Sequence, residues 1–295
     1  MRGISVEQRR LAAFGKGGPV DTERNMIRLC TFNVNSIRAR KDLMVSWLEH
    51  RENDIDVLCL QEIKVAEKDF PYGDFERLGF SCEINGQKGY NGVAICSKIP
   101  LESVRKGFGD PYWDRQKRMI CSKIWDVNLI SVYVPHGDSR GTAKYRYKLG
   151  WYGMFEDFLD RNFSPEEKLM IVGDFNVARS DLDVHNPETM RDGIGTMAEE
   201  REALNHLLQW GLVDVFRHLY PEKRMFTWWD YIGGAIWKDK GMRIDYVLCS
   251  QPLVGRVADA QIDLWPRQRR TPKPSDHAPA IISLERTCVS ELSVF

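Results

Sequence analysis

The stretch IVGDFNVA, residues 171–178, ends an apolar run on two polar side chains. Its first three residues are typical of a buried strand, and the run stops at Asp174. Phe175 separates that carboxylate from the amide of Asn176. Because residues two apart in a strand point to the same side, we expect Asp174 and Asn176 to face one site while Phe175 faces the core.

Strand-like runs recur on both sides of this stretch. They are MIRLCTF, IDVLCLQ, GVAICS, VNLISVYV, KLMIVG, RIDYVLCS and PAIISLE. Helical periodicity separates several of them, in ARKDLMVSWLEHR, KYRYKLGWYGMFEDFLDR and EEREALNHLLQWG. The pairs 81–85 with 91–98 and 117–125 with 128–134 predict hairpins, so strands and helices do not alternate strictly. The pattern predicts an α/β fold with two mixed β-sheets packed face to face and helices outside.

The composition is that of an ordinary globular protein, with 295 residues, 43% hydrophobic, 28% charged and a formal net charge of zero. We expect a loose N-terminal extension over 1–25, one domain over 26–286 and a tail over 287–295. No apolar run approaches the ~20 residues that a bilayer span requires. The N-terminus lacks the apolar core of a signal peptide, so we predict a cytoplasmic protein without a membrane partner.

The 7 cysteines are scattered and form no CxxC pair. Most lie in apolar, strand-like runs such as DVLCLQ and GVAICS. An odd, scattered and buried set predicts reduced thiols rather than disulfides or a zinc site.

Polar side chains stand where several predicted strands begin or end. They are Asn33, Glu62, Tyr133, Asp174, Asn176, Asp245, Asp276 and His277. Any one of the acids has an ordinary alternative role as a turn or helix cap. Asp245 is harder to explain in that way, because an acid within RIDYVL is expensive to bury unless it is paired. His277 is a candidate partner for it.

Together these residue types suit hydrolysis of a phosphodiester. A hard divalent cation takes carboxylate oxygens as ligands, and a carboxylate held by its neighbours can transfer a proton. A histidine oriented by a carboxylate can hydrogen-bond an anionic oxygen. The chain has no nucleophile elbow, Walker loop, GxGxxG turn or HExxH helix, which excludes the common alternatives.

Ten motifs follow one another in the order known from a nuclease family. They are TFNVNSIRAR, LCLQEIK, GQKGYNGVAI, QKRMI, SVYVPHGDSR, IVGDFNVA, EEREALNHLLQWGLVDVFR, FTWWDY, GMRIDYVLCS and PSDHAP. The chain resembles the exonuclease III family of Mg²⁺-dependent DNA-repair nucleases, the AP endonucleases of the endonuclease/exonuclease/phosphatase superfamily. The short motifs LQE, GDFN and SDH identify only the superfamily, whereas GQKGYNGVA, LVDVFR, TWWDY and KPSDHAP indicate the DNA-repair branch.

The resemblance implies a four-layered α/β sandwich and assigns roles by motif. Glu62 is the implied metal ligand, with Asn33 beside it and Asp276 in support, for Mg²⁺ or alternatively Mn²⁺. The implied catalytic residues are Asp174 for proton transfer, Asn176 and Tyr133 toward the phosphate, and His277 oriented by Asp245. Whether Asp174 acts as the base or as the acid for the leaving group stays open.

The resemblance also implies the substrate: double-stranded DNA with abasic sites or 3′ ends, cleaved by a nucleoid-associated monomer. Incision 5′ to abasic sites would be accompanied by 3′→5′ exonuclease and 3′-phosphatase or phosphodiesterase activity. Arg118 and Lys64 are implied supporting contacts. Trp228, Met242 and Ile244 match positions that form an apolar pocket for a flipped sugar without its base.

Local basic clusters are the remaining candidates for contacts with the DNA backbone. They are Arg115, Lys117 and Arg118; Lys238, Lys240 and Arg243; and Arg267, Arg269, Arg270 and Lys273. Each cluster has the ordinary alternative of a solvated surface. His136 follows VYVP where relatives often carry a smaller amide, and the loop with Gly193 and Gly195 departs from the family pattern.

Two other functions remain open. The first is another phosphoesterase of the superfamily, such as a non-specific DNase or a phospholipid or inositol phosphatase, against which WWDY and GQKGYNG argue. The second is a catalytically silent DNA-binding module. That alternative predicts a missing acid or histidine, and none of the set is missing.

Overall fold

The computed structural model describes residues 25–51 and 54–286. Apart from residue 25, the predicted N-terminal extension lies outside the described residues, as does the whole predicted tail over 287–295. The helices are α1 (Ile37–His50), α2 (Tyr72–Arg77), α3 (Ala143–Asn162), α4 (Pro187–Met190), α5 (Ala198–Gln209), α6 (Val215–Leu219) and α7 (Gln251–Val254). Short 3₁₀ helices span Glu67–Asp69, Trp113–Gln116, Asp181–Asp183 and Ile232–Lys238.

The strands form two six-stranded sheets and one short ribbon. They are β1 (Met26–Asn33), β2 (Val57–Gln61), β3 (Ser81–Asn85), β4 (Val93–Ser97), β5 (Glu102–Lys106), β6 (Met119–Ile124), β7 (Val127–Tyr133), β8 (Leu169–Asp174), β9 (Leu212–Asp214), β10 (Trp228–Trp229), β11 (Gly241–Met242), β12 (Asp245–Ser250), β13 (Val257–Ile262) and β14 (Ala280–Glu285). The sheet orders are β13-β14-β1-β2-β4-β3 and β5-β6-β7-β8-β12-β9, and β10 pairs with β11.

Each large sheet has one parallel pair at its centre. β1 and β2 are parallel in the first sheet, and β7 and β8 are parallel in the second. The other neighbouring strands of both sheets are antiparallel. The predicted hairpins are β3–β4 and β6–β7, and both are confirmed.

Three apolar cores separate four layers. The central core lies between the sheets and includes Leu29, Val57, Leu129 and Val172. A second core packs α1 on the first sheet, and a third packs α3 and α5 on the second. The predicted sandwich with helices outside is therefore confirmed. Among the helices of the described ranges, none is long and apolar enough to cross a bilayer.

The prediction that all cysteines are reduced thiols is wrong for one pair, because Cys82 and Cys96 form a disulfide. The two residues stand directly opposite each other on β3 and β4, with Cα atoms 4.0 Å apart. Strand register brings them together, and their separation of 14 residues along the chain does not reveal it. Cys30, Cys59, Cys121 and Cys249 are free and buried, and Cys288 lies outside the described residues.

Candidate active site

The predicted site residues meet at the edge where the central parallel strands end. Asn33, Tyr133 and Asp174 are the last residues of β1, β7 and β8. Glu62 directly follows β2. Asn33 Nδ2 donates to Glu62 Oε1 at 2.9 Å and to Asp174 Oδ2 at 2.8 Å. Asn33 therefore connects the two sheets at this edge and orients both carboxylates.

His277 lies between two buried carboxylates. Its Nδ1 is 2.8 Å from Asp245 Oδ2, and its Nε2 is 3.8 Å from Asp174 Oδ2. Asp245 begins β12 and pairs in register with Asp174 at the end of β8. The other oxygen of Asp245, Oδ1, has no hydrogen-bond partner among the described residues. His277 is thus the cation that compensates two adjacent acids.

Burial and charge set the protonation of this group. Burial raises the pKa of Asp174 to about 7; the His277 charge opposes the rise and the Asp245 charge adds to it. Burial disfavours a charged His277, but the charge of Asp245 and its hydrogen bond outweigh burial and raise the pKa of His277 to about 10. At neutral pH His277 therefore keeps its proton and is a donor at both nitrogens, while Asp174 titrates near neutrality.

A second group of polar contacts lies beside Glu62. Lys64 Nζ is 2.8 Å from Glu62 Oε2 and donates to Asn35 Oδ1 at 2.7 Å. Asn35 Nδ2 donates to Asp276 Oδ1 at 2.9 Å, and Trp228 Nε1 donates to Asp276 Oδ2 at 3.1 Å. Burial would raise the pKa of Glu62, but the Lys64 ammonium lowers it below its usual value. Glu62 is consequently a charged carboxylate held in one orientation.

Tyr133 and Arg118 form one unit at the end of β7. The Arg118 guanidinium lies 4.5 Å from the centre of the Tyr133 ring, and its Nη1 donates to Tyr133 O at 3.0 Å. Burial raises the pKa of Tyr133 and the charge of Glu62 adds to the rise, so the phenol keeps its proton and can donate it in a hydrogen bond. Arg118 is 8% exposed and holds Tyr133 in place.

Asn176 is fixed beside Asp174 by three polar contacts. Its backbone N–H donates to Asp174 Oδ1 at 2.9 Å, and its Nδ2 donates to Val134 O at 2.9 Å. Its own carbonyl accepts from Lys148 Nζ at 2.8 Å. Phe175 is fully buried and packs edge-on against Tyr246, which confirms its predicted orientation toward the core.

Several site residues have left-handed backbone conformations that side chains other than glycine rarely adopt. They are Asn35 at φ 44°, Glu62 at φ 51°, Lys64 at φ 55° and Asn176 at φ 53°. Such conformations cost on the order of 1–3 kcal/mol each and cluster at active sites. Gly173, next to Asp174 in β8, has φ 145°, and a side chain there is excluded because a Cβ would collide with Val132 O.

The three predicted pocket residues lie in one apolar cluster. Met242 and Ile244 are buried with Ala178 and Val184, and Trp228 packs against them while remaining partly exposed. Trp228 pairs with Met242 across the β10–β11 ribbon. An isolated bridge also joins Trp228 to His277, so the apolar cluster adjoins the polar site.

The chain matches a family model described as the endonuclease/exonuclease/phosphatase family over residues 30–277. That range contains every site residue named above. This chain belongs to the endonuclease/exonuclease/phosphatase family.

Individual members of the family are similar over most of the chain. Exodeoxyribonuclease III of Haemophilus influenzae is 35% identical over 265 residues, which cover 86% of this chain and 98% of that protein. An AP endonuclease from Archaeoglobus fulgidus has a TM-score of 0.83 and 37% identity, covering 88% of this chain and 100% of its own. A 3′ phosphatase, NExo, from Neisseria, bound to a product DNA hairpin, has a TM-score of 0.82 and 33% identity at the same coverages. Within the family the chain is a hydrolase of the exodeoxyribonuclease III type.

Besides Arg118, which is buried against Tyr133, two more of the predicted DNA contacts are buried in internal contacts. Arg243 is 1% exposed, and its guanidinium pairs with Asp183 and Asp214 at 2.7 Å each. Arg267 is 5% exposed and donates to the carbonyls of Trp229 and Asp276. Both were expected at the surface because a basic cluster in sequence does not reveal which member turns inward. Their neighbours Lys238, Lys240, Arg269, Arg270 and Lys273 are exposed, as is Arg115.

Three residues that position the site were not predicted from the sequence. Asn35 connects Lys64 with Asp276, and its position two residues after Asn33 in FNVN was the available signal. Ser275 Oγ donates to Asn33 O at 2.7 Å and so holds the PSDH segment against β1. Thr227 Oγ1 accepts from the backbone N–H of Asp245 at 3.0 Å. Ser275 and Thr227 lie within the motifs PSDHAP and FTWWDY, but nothing in those motifs indicates that their hydroxyl groups position the site.

The donor set fits a hard divalent cation. One ligand atom each from Glu62, Asp174 and His277 lies within 4.8 Å of the others. His277 is a poor ligand here, because a protonated imidazole has no lone pair to offer. Carboxylate oxygens remain, which is the chemistry Mg²⁺ prefers. The Lys64 ammonium lies 2.8 Å from Glu62 Oε2 and keeps that carboxylate ionised, which is the form that can bind a cation.

Proposed function

We propose that this chain is a Mg²⁺-dependent DNA-repair phosphodiesterase that incises duplex DNA 5′ to abasic sites. The observation that carries the proposal is the position of His277 between Asp245 and Asp174, beside Glu62 and Tyr133 at one sheet edge. This arrangement joins a proton-transfer carboxylate with donors for an anionic oxygen. Relatives named exodeoxyribonuclease III and AP endonuclease support DNA as the substrate.

Asp174 activates the attacking water in the proposed mechanism. A general base works best when its pKa lies near the operating pH, and burial brings the pKa of Asp174 to about 7. Asn33 Nδ2 and the backbone N–H of Asn176 fix the two oxygens of this carboxylate. Asp174 takes a proton from water as the water oxygen attacks phosphorus, and the 3′ oxygen leaves from the opposite side with the electron pair of the P–O bond and is protonated by solvent.

Three donors stabilise the negative charge that builds on the phosphate oxygens. His277 offers Nε2, Tyr133 its phenol and Asn176 its side-chain amide. Asp245 keeps the imidazole charged and correctly rotated, and Arg118 holds the Tyr133 ring. Losing one such donor typically costs about 3–4 kcal/mol of barrier.

Mg²⁺ would be held by Glu62, with Asp276 and the amides of Asn33 and Asn35 around it. When bound, the ion supplies Lewis-acid stabilisation of charge on the phosphate and leaving oxygens. The side-chain amide of Asn33 donates a hydrogen bond to Glu62, so we propose that Asn33 orients this carboxylate toward the ion. Mn²⁺ offers the same preference for oxygen ligands.

The abasic lesion is recognised through the apolar cluster of Trp228, Met242 and Ile244. A sugar without its base is small and costs little to unstack, which favours it over an intact nucleotide. The exposed lysines and arginines beside the site bind the DNA backbone. The protein acts as a monomer in the cytoplasm, at the nucleoid. The same chemical step gives 3′→5′ exonuclease and 3′-phosphatase activities, and the 3′ phosphatase relative supports the latter.

A substrate panel tests the proposed function. The substrates are a duplex with one abasic analogue, a duplex with a 3′-phosphate, a phosphoinositide and a choline lipid, each with Mg²⁺ or with EDTA. The expected result is Mg²⁺-dependent cleavage of the two DNA substrates only. Cleavage of a lipid without cleavage of DNA would assign the chain to another branch of the family. Undiminished incision in EDTA would remove the metal from the mechanism.

A further inference from the structure

A fully buried ion pair lies behind the loop that carries Asp174 and Asn176. It joins Lys148 of α3 to Glu200 of α5, with Nζ and Oε1 2.6 Å apart and both side chains 0% exposed. The mechanism above uses neither residue. Removing two charges from water is costly, and an apolar pair of similar volume is often as stable. The pair therefore needs an explanation other than stability alone.

The contacts of Lys148 provide one. An ammonium has three donors, and here the other two go to main-chain carbonyls, Asn176 O at 2.8 Å and His136 O at 3.1 Å. Both carbonyls belong to loops that follow the site strands β8 and β7. Gly137 gives room for this contact, since a Cβ there would lie 2.8 Å from Lys148 Cδ.

Glu200 completes the support from the other side. Its second oxygen, Oε2, accepts from the backbone N–H groups of Gly195 at 2.7 Å and Met197 at 3.2 Å. Gly195 in turn is joined to the site loop, because its carbonyl accepts from Ala178 N at 2.7 Å. Gly195 has φ +82°, and a Cβ on it would lie 3.0 Å from Asn176 O. The Asn176 carbonyl is thus enclosed by Lys148 and by a residue that Glu200 holds.

We propose that Lys148 and Glu200 are positioning residues for Asn176. By holding the Asn176 carbonyl, the pair keeps the backbone of Asn176 in the left-handed conformation. That backbone conformation aims the side-chain amide at the scissile phosphate. An apolar residue at position 148 would fill the space but leave the buried Asn176 carbonyl and the partly buried His136 carbonyl without this donor, which favours relaxation of the loop. The inference rests on the proposed function, because aiming the amide matters only if a phosphate binds there.

The test uses the double variant Lys148→Met/Glu200→Gln. It removes both charges at similar volume and keeps an acceptor for Gly195, so the melting temperature is expected to stay within a few degrees of the wild type. The kcat for incision of an abasic duplex is expected to fall about 10–100-fold, since small misplacement of a positioned group can cost about 10²-fold. The Kd for that duplex, measured in Ca²⁺, is expected to change less than threefold. Glu199→Gln is the matched control, because Glu199 is the neighbouring acid and its ion pair with Arg140 lies at the exposed surface.

A double-mutant cycle separates positioning from general structural support. Asn176→Ala is made in the wild type and in the Lys148→Met/Glu200→Gln background. If the pair acts through Asn176, the triple variant should have a kcat within about threefold of the kcat of Asn176→Ala alone. Fully multiplicative losses in kcat would overturn the proposal, since they mean that the pair acts independently of Asn176.

A crystal structure of the double variant gives a readout that does not depend on catalysis. The expected result is that φ of Asn176 leaves the left-handed region or that its Nδ2 no longer contacts Val134 O. An unchanged Asn176 would overturn the positioning role even if activity fell. Failure of the proposed function would look different, because the wild type itself would then leave abasic DNA intact while the structural readout still decides the role of the pair.

Discussion

Asp174 and Asp245 stand directly opposite each other on the antiparallel strands β8 and β12. Two buried acids in register repel each other unless a cation lies between them, and His277 is that cation. Burial raises the pKa of Asp174 and the charge of Asp245 opposite it adds to the rise, while the charge and hydrogen bond of Asp245 raise the pKa of His277 against the effect of burial. A structural pairing in the sheet sets the chemistry at its edge.

The charge of Asp245 is predicted to be needed for turnover. Asp245→Asn keeps a hydrogen-bond acceptor for His277 Nδ1 but removes the charge that keeps the imidazole protonated. We expect kcat for abasic-site incision to fall about 10²–10⁴-fold with little change in melting temperature. Asp259→Asn, at an exposed position of β13, is the control. Activity within threefold of the wild type would show that His277 does not depend on this carboxylate.

Removal of the metal or of its ligand is predicted to silence the enzyme. EDTA should abolish incision, and Mg²⁺ should restore it. Glu62→Gln should raise the Mg²⁺ concentration for half-maximal activity at least about tenfold, because even outer-shell changes at metal sites cost 10–100-fold in affinity. Glu67→Gln, which loses an exposed pair with Lys106, is the control. An unchanged Mg²⁺ titration for Glu62→Gln would place the ion elsewhere.

Acid stability is predicted to depend on Asp183. Its Oδ1 accepts from Arg243 and Arg217 at 2.7 Å each. Burial would raise the pKa of Asp183, but the Arg243 charge outweighs it and lowers the pKa below the usual value. A group whose folded pKa is depressed contributes stability that is complete above its unfolded pKa, near 3.9, and is lost as the pH falls through the folded pKa.

Asp183→Asn should accordingly cost about 3–5 kcal/mol of unfolding free energy at pH 7, measured by urea denaturation. The difference from the wild type should narrow as the pH falls below about 4. Asp181→Asn is the control, because its partner Arg201 meets it at the exposed surface. A difference that stays constant from pH 7 to pH 3 would contradict the ionic role of Asp183.

The disulfide is predicted to leave five of the 7 cysteines as free thiols. Thiol titration of the air-oxidised, denatured protein should give five thiols, and seven after reduction. Cys82→Ser should give six without reductant, one more than the wild type, because Cys96 is released. Reduction should lower the unfolding free energy by about 3 kcal/mol, the value expected for a loop of ~15 residues. Seven thiols in the untreated wild type would rule out the bridge.

The sequence predicted the site through local rules. Residues at strand ends are aimed by rigid strands, and the alternation at Asp174, Phe175 and Asn176 follows from the two-residue period. The pairing of Asp245 with His277 was also predictable, because a buried acid requires a partner. These features depend on a few residues each, so the sequence carries them directly.

The rest depended on contacts between distant elements. The Cys82–Cys96 bridge follows from strand register, and the burial of Arg243 and Arg267 follows from which acids and carbonyls lie opposite them. The Lys148–Glu200 pair joins two helices that are separate in sequence. Neither periodicity nor a short motif reports such placements, so only the folded chain reveals them.

Single-turnover incision of a duplex with one abasic analogue tests the central claim most directly. Wild type and Asp174→Asn are compared in Mg²⁺ at saturating enzyme, with products resolved on a denaturing gel. The account predicts that the first product formed by the wild type is cut 5′ to the lesion. It predicts a rate at least about 10²-fold lower for Asp174→Asn, with an unchanged Kd for the duplex. Equal rates for the two proteins, or no cut at the lesion by the wild type, would contradict it.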